Sequence, residues 1–305
     1  MNKLDTQYIE LVKTIFNRGE WENTRTGLKA KTYPSFMLTH NMKDGFPLIT
    51  IKKTPFKVMA VELEGFIKGI TSKKWYQDRK CNIWDEWCNP QKVKYSTDPI
   101  IQEKMKKEDD LGLIYGSQWR DFHTPNAYYR SGYNQYGASS EGYVKGRSTD
   151  QLKTIINQLK NDPTNRRMVC SAWNPLSLDY MALPPCHVLW QVSVINNKLN
   201  LTWYQRSCDV PLGIPFNIAS YALLLHLLAK EAKLEEGILT GFLNNVHFYE
   251  NQLDGVKEML FARNSEFELP TIETNNFESI LYWKYSDTKL INYQSLPKID
   301  IPIAV

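Results

Sequence analysis

The chain has 305 residues, 42% hydrophobic and 23% charged, the balance of an ordinary globular protein; it is long enough for one large domain or two modest ones. A formal net charge of +4 is too small to argue for nucleic-acid binding, so no DNA partner is expected, but it suits a small anionic substrate. The 9 Trp and 17 Tyr exceed what a core alone asks for and point to an aromatic-lined pocket or an interface.

The five cysteines, Cys81, Cys88, Cys170, Cys186 and Cys208, show neither a CxxC pair nor zinc-finger spacing, so no metal is expected. Residues 1–10 lack the apolar run of a secretory signal. No stretch approaches the roughly 20 apolar residues of a membrane helix, and a cytoplasmic location without a membrane partner is expected.

In chain order, Ile9, Val12 and Ile15-Phe16 share one face of a helix predicted over 5–18. Thr24-Arg25-Thr26-Gly27 reads as a loop, Tyr33–Thr39 as a strand and Asp44-Gly45 as a turn. A helix over 56–69 ends on Gly69. Residues 89–110 are highly charged and 121–148 are rich in Tyr, Gly, Ser and Asn; both read as surface excursions of one domain spanning 1–305. Gln151–Leu159 is a helix closed by Asp162-Pro163. Met168–Trp173 and Val188–Ile195 read as strands. Lys198–Tyr204 pairs with the second across Asn196-Asn197. Phe216–Ala232 is a helix with a broad apolar stripe, and His247 and Tyr249 share one face of a strand. The class is α+β, a mixed sheet with packed helices.

Cys186 sits in Leu183-Pro184-Pro185-Cys186-His187, where prolines fix the backbone. Alone it reads as readily as a small buried hydrophobe. A thiol of pKa about 8.5 is only a few per cent thiolate at neutral pH, and a nearby cation raises that fraction. Gln205-Arg206-Ser207-Cys208-Asp209 offers an amide, a guanidinium, a hydroxyl and a carboxylate in one short run. Arg166-Arg167 is either a phosphate clamp or a solvated charge pair.

In combination these strings resemble the thymidylate synthase family along almost the whole chain. The resemblance runs through Arg25-Thr26-Gly27, Asp44-Gly45-Phe46-Pro47-Leu48, Ile83-Trp84-Asp85-Glu86-Trp87 and Tyr115-Gly116-Ser117-Gln118-Trp119-Arg120. It continues through Asn165-Arg166-Arg167, Ser171-Ala172-Trp173-Asn174, the Cys186 and Cys208 strings, Pro215-Phe216-Asn217-Ile218-Ala219-Ser220-Tyr221 and Pro302-Ile303-Ala304-Val305.

The resemblance implies a homodimer whose interface is the sheet. It implies that Cys186 adds to C6 of dUMP, which activates C5 toward the one-carbon unit of 5,10-methylenetetrahydrofolate. Arg25, Arg206 and Ser207 would hold the phosphate, with Arg166 and Arg167 donated from the other subunit. Arg206 would also favour the Cys186 thiolate. Cys208 and Asp209 fall in the nucleotide-binding run. Asn217 would accept from N3–H and donate to O4, which matches uracil and mismatches cytosine. His247 and Tyr249 would take the ribose hydroxyl. Glu62 and Tyr115 would organise proton transfer through water. Asp209 would hold the pterin, with Trp84, Trp87, Leu212, Gly213 and Phe216 lining the folate pocket and Ala304 and Val305 closing over it.

The chain departs from the family pattern at Leu28, Pro55, Glu64-Gly65, Pro211 and Asn244-Asn245. These departures leave open a related outcome, a deoxyuridylate hydroxymethyltransferase, in which water rather than hydride ends the reaction.

Overall fold

The computed structural model describes residues 1–123, 128–130, 143–145 and 148–304. Most of the expected 121–148 excursion and the terminal Val305 fall outside them. The helices are α1 (Lys3–Arg18), α2 (Phe56–Lys68), α3 (Lys73–Gln77), α4 (Pro99–Lys107), α5 (Tyr115–Arg120), α6 (Gln151–Asn161), α7 (Ile214–Ala232) and α8 (Leu253–Lys257). The strands are β1 (Glu20–Asn23), β2 (Lys29–Asn41), β3 (Tyr128–Arg130), β4 (Tyr143–Lys145), β5 (Val169–Ser171), β6 (His187–Ile195), β7 (Lys198–Gln205), β8 (Cys208–Asp209), β9 (Glu235–Tyr249), β10 (Thr271–Thr274) and β11 (Thr288–Ile291).

The chain separates into two compact units. One comprises 1–64, 156–169 and 186–305; the other comprises 65–155 and 170–185. The first is built on a mixed sheet in which β1, β2, β9, β7 and β6 lie side by side in that order, with β8 beside β9. The long β9 runs antiparallel to β2 and parallel to β7. β6 and β7 form the expected hairpin, whose turn residues Asn196 and Asn197 both take positive φ (49° and 61°), as a tight two-residue turn requires. Leu199, Leu201 and Trp203 alternate inward from β7, and α7 packs its nearly all-apolar surface over β7 and β9. The opposite side carries a cross-strand row: Met37 of β2 faces Phe242 of β9, which faces Tyr204 of β7, all three exposed.

Sequence boundaries shift where burial decides. The strand expected over 33–39 extends to 29–41 because β9 supplies a partner along its length. The strand expected over 168–173 shortens to three residues. Gly69 ends α2 at φ 70°, as expected. In the second unit, the charged 89–110 stretch is partly helical. Asp98 caps α4 by accepting from the Ile100 and Ile101 amides at 2.8 and 3.2 Å.

Candidate functional site

In the first unit, β7 hands β9 over to β8. Gln205 registers with Leu243, and Cys208 and Asp209 with Val246 and His247. Arg206 and Ser207 fall in the gap and leave the ladder, opposite Asn244 and Asn245. Asn245 takes φ 45°, and this local twist accompanies the change of partner. The Arg206 amide donates to the Cys186 carbonyl at 2.8 Å, which seats the thiol-bearing corner against this break. Of the five cysteines, Cys186 alone is not buried. Burial pushes the thiols of Cys170 and Cys208 up and keeps them protonated; Cys208, although in the matching run, is fully enclosed.

Behind Cys186, the neighbouring His187 Nδ1 lies 2.7 Å from the Tyr221 hydroxyl, and Tyr221 stacks on Trp203 with ring centroids 5.2 Å apart. Burial lowers the His187 imidazole from 6.5 to about 3, so it stays neutral.

Trp203 starts a polarity relay. Its indole N–H, a donor only, donates to Gln205 Oε1 at 3.2 Å. The other end of that amide donates to the Ser207 carbonyl at 3.1 Å and to Asn217 Oδ1 at 3.0 Å. A donor-only group and an acceptor-only group therefore fix Gln205, and Gln205 in turn fixes Asn217. Among the described residues nothing takes the Asn217 NH2 or its second oxygen lone pair. Room for the Trp203 ring depends on Gly241, where a Cβ would lie 2.4 Å from it.

Asp209 is held at both oxygens. The Leu212 amide donates to one at 3.1 Å and Gln252 Nε2 to the other at 3.0 Å. Burial raises its carboxyl, and the hydrogen bond from Gln252 is the largest opposing influence. The Gly213 amide donates to the Asp209 carbonyl, and the Phe216 and Asn217 amides donate to the Gly213 carbonyl, so this turn leads directly into α7.

His247 Nδ1 lies 2.7 Å from the Asn245 carbonyl. A carbonyl only accepts, so Nδ1 is the donor here and Nε2 is the nitrogen turned away from this contact. Tyr249 packs edge-on against His247 at 5.1 Å. Burial raises the Tyr249 phenol, followed by the Asp209 charge; Arg25 opposes the rise and Cys186 adds to it, so the field of all three reaches this hydroxyl. Arg25 is exposed on a loop tied by the Thr24 and Thr26 hydroxyls at 2.8 Å. Gly27 supplies φ 81° there, and Leu28 fits without a second glycine. Arg166 and Arg167 are both exposed between α6 and β5. Glu62 is buried on α2. Ala304 is half-buried near the end of the tail.

In the second unit, Tyr115 lies 4.9 Å from Phe66 and 6.2 Å from Trp84 between ring centroids. The Trp84 indole N–H is buried with no hydrogen-bond partner among the described residues, a donor suited to a ligand acceptor. Trp87 stacks on Tyr95. No group of three or more His, Cys, Asp or Glu that could hold a metal occurs among the described residues.

The motifs named Gln205 without a role and did not single out Trp203, Gln252 or Lys52. Lys52 is buried within the field of Asp209, and burial lowers its ammonium to about 8. Only the paired donors and acceptors reveal the first three. A lysine between Ile51 and Lys53 carries no signal of its burial.

As a class, the chain is a transferase of mixed α+β fold. It belongs to the thymidylate synthase family: the sequence profile described as thymidylate synthase matches residues 6–305. It is 37% identical to the thymidylate synthase of Staphylococcus haemolyticus (strain JCSC1435), with 100% of each chain covered. It is also 37% identical to the bifunctional dihydrofolate reductase-thymidylate synthase of Paramecium tetraurelia, covering 99% of this chain and 61% of that protein.

Proposed function

We propose that this chain converts dUMP to dTMP with 5,10-methylenetetrahydrofolate as co-substrate, through attack by Cys186 on pyrimidine C6. The observation that carries the reading is the polarity of Asn217, pinned by Gln205, whose chain neighbour Arg206 seats through its amide the one cysteine that is not buried. The Asn217 NH2 donates to O4 and its remaining oxygen lone pair accepts from N3–H. Cytosine offers the reverse pattern. Arg25, Arg206 and Ser207 take the phosphate, and Arg206 stabilises the thiolate. His247 Nε2 and the Tyr249 hydroxyl take the ribose 3′-hydroxyl. Glu62 and Tyr115 relay protons through water. By resemblance to the family, Trp84, Trp87, Asp209, Leu212, Gly213, Phe216, Ala304 and Val305 are assigned to the folate. The bound folate supplies a one-carbon unit and a hydride. Relatives named for thymidylate synthesis across the full chain favour hydride over water as the final step.

The working form is a cytoplasmic homodimer joined across the sheet. The exposed row Met37–Phe242–Tyr204 supports this interface, since contiguous apolar side chains of this kind mark an association surface. Exposed Arg166 and Arg167 suit donation to a partner's phosphate site.

Product analysis after incubation with dUMP and methylenetetrahydrofolate tests the reading: dTMP and dihydrofolate are expected. Hydroxymethyl-dUMP with tetrahydrofolate would overturn it. Cys186→Ala is expected to bind dUMP and to release tritium from C5-labelled dUMP at least about 10⁴-fold more slowly, the scale of losing a catalytic nucleophile.

A further inference from the structure

The C-terminal tail is docked by two neighbouring devices in the first unit. Ile299 and Ile301 are buried against α8, where Gly255 gives them room: a Cβ there would lie 2.4 Å from Ile301 Cδ1 and 3.1 Å from Ile299 Cγ2. One turn earlier stands Gln252, fully buried, with both ends of its amide in use. Its oxygen accepts from the Tyr249 amide at 3.0 Å, and this donor-only partner fixes the orientation. Its nitrogen then donates to Asp209 Oδ2 and to the Pro302 carbonyl, each at 3.0 Å.

We infer that Gln252 is a positioning residue that couples the docked tail to the aim of Asp209, so that tail closure and folate affinity are set by one amide. A single NH2 has two hydrogens, and here one holds the carboxylate and the other holds the tail. When the tail lifts, that nitrogen loses a partner and Asp209 loses a fixed neighbour. When Asp209 is turned toward a ligand, the same nitrogen stays placed to receive Pro302. The backbone of Tyr249, next in the strand to His247-Phe248, is held by the oxygen end alone. This coupling rests on the folate reading of Asp209 and is separable from it, because the tail can be followed without any ligand.

The test uses the full-length enzyme with Gln252→Glu and, for the same volume without polar atoms, Gln252→Met. Glutamate keeps an acceptor for the Tyr249 amide but sets an oxygen against the Asp209 and Pro302 oxygens. For both variants, KM for methylenetetrahydrofolate is expected to rise about tenfold, about 1.4 kcal/mol, the scale of one hydrogen bond to a charged group. Binding of dUMP to Gln252→Glu, measured by equilibrium dialysis, stays within about twofold of the wild type, because the acceptor for the Tyr249 amide is retained. Exchange of the backbone amides of residues 299–301, 303 and 304 is expected to accelerate in the unliganded protein. If Gln252→Glu does not fold, Gln252→Met carries the exchange and KM measurements. An unchanged folate KM, unchanged tail exchange, or a parallel loss of dUMP binding in Gln252→Glu overturns the coupling. A wild type that makes no dTMP overturns the folate reading instead, and leaves the exchange result standing.

Discussion

The break between β7 and β8 and the aromatic cluster around Tyr115 hold their side chains by opposite means. At the break, each polar atom is aimed by a partner that can only donate or only accept: Trp203 sets Gln205, Gln205 sets Asn217, and the Asn245 carbonyl sets His247. In the aromatic cluster, Phe66, Trp84, Tyr115 and Trp119 are fixed by ring packing, and one indole N–H is left without a partner among the described residues. The difference separates two kinds of recognition. Fixed polarity discriminates between isosteres, because a wrong ligand leaves buried groups unpaired. Ring packing selects shape and tolerates variation.

Within this comparison, the largest expected effect tests whether the hydrogen-bonded region needs a neutral histidine. The folded-state pKa of His187 lies near 3, below the 6.5 of an ordinary imidazole, so the unfolded chain binds the extra proton first as pH falls. Stability attributable to this group is complete above 6.5 and declines toward pH 3. Between pH 7 and 4 the wild type is expected to lose about 3 kcal/mol more than His187→Asn, from about 1.4 kcal/mol per pH unit below 6.5. Urea melts at the two pH values measure this, and equal losses would refute the assignment. Next in size is Asn217→Asp. It is expected to cut kcat/KM for dUMP about 100-fold and to bind dCMP better than the wild type does, from the cost of mispaired buried groups. Ligand competition assays read both; a uniform loss for both nucleotides would show that polarity is not what Asn217 contributes. Smallest is Trp84→Phe, which keeps a ring and removes the unpartnered N–H. Folate KM is expected to rise about threefold to tenfold from the lost donor, alongside a loss of about 1–2 kcal/mol of stability from the smaller buried ring. A folate KM within twofold of the wild type would make Trp84 a packing residue only.

Elements with strong local signals could be read from the sequence. Helices α1, α2, α6 and α7, the Gly69 cap and the Asn196-Asn197 turn follow from periodicity and turn chemistry. β9 was visible only at His247-Phe248-Tyr249. Its other residues gain their strand character from β2 and β7, partners far away in the sequence. In the site, motif order named Cys186, Arg206 and Asn217. The polarity of Asn217 could not be read, because it depends on Trp203 and Gln205 meeting it across a fold. Lys52 and Gln252 were missed for the same reason: each matters through what surrounds it.

Gly65, one of the departures from the family pattern, has a neighbour that explains it. A Cβ at Gly65 would lie 2.3–2.5 Å from the ring and hydroxyl of Tyr76, which is fully buried. α2 carries no side chain at position 65, and α3 fills the space with the Tyr76 ring. The two positions therefore share one volume. A large residue at position 65 requires a smaller one at position 76: gained first it overpacks the site, whereas losing the Tyr76 ring first passes through a cavity.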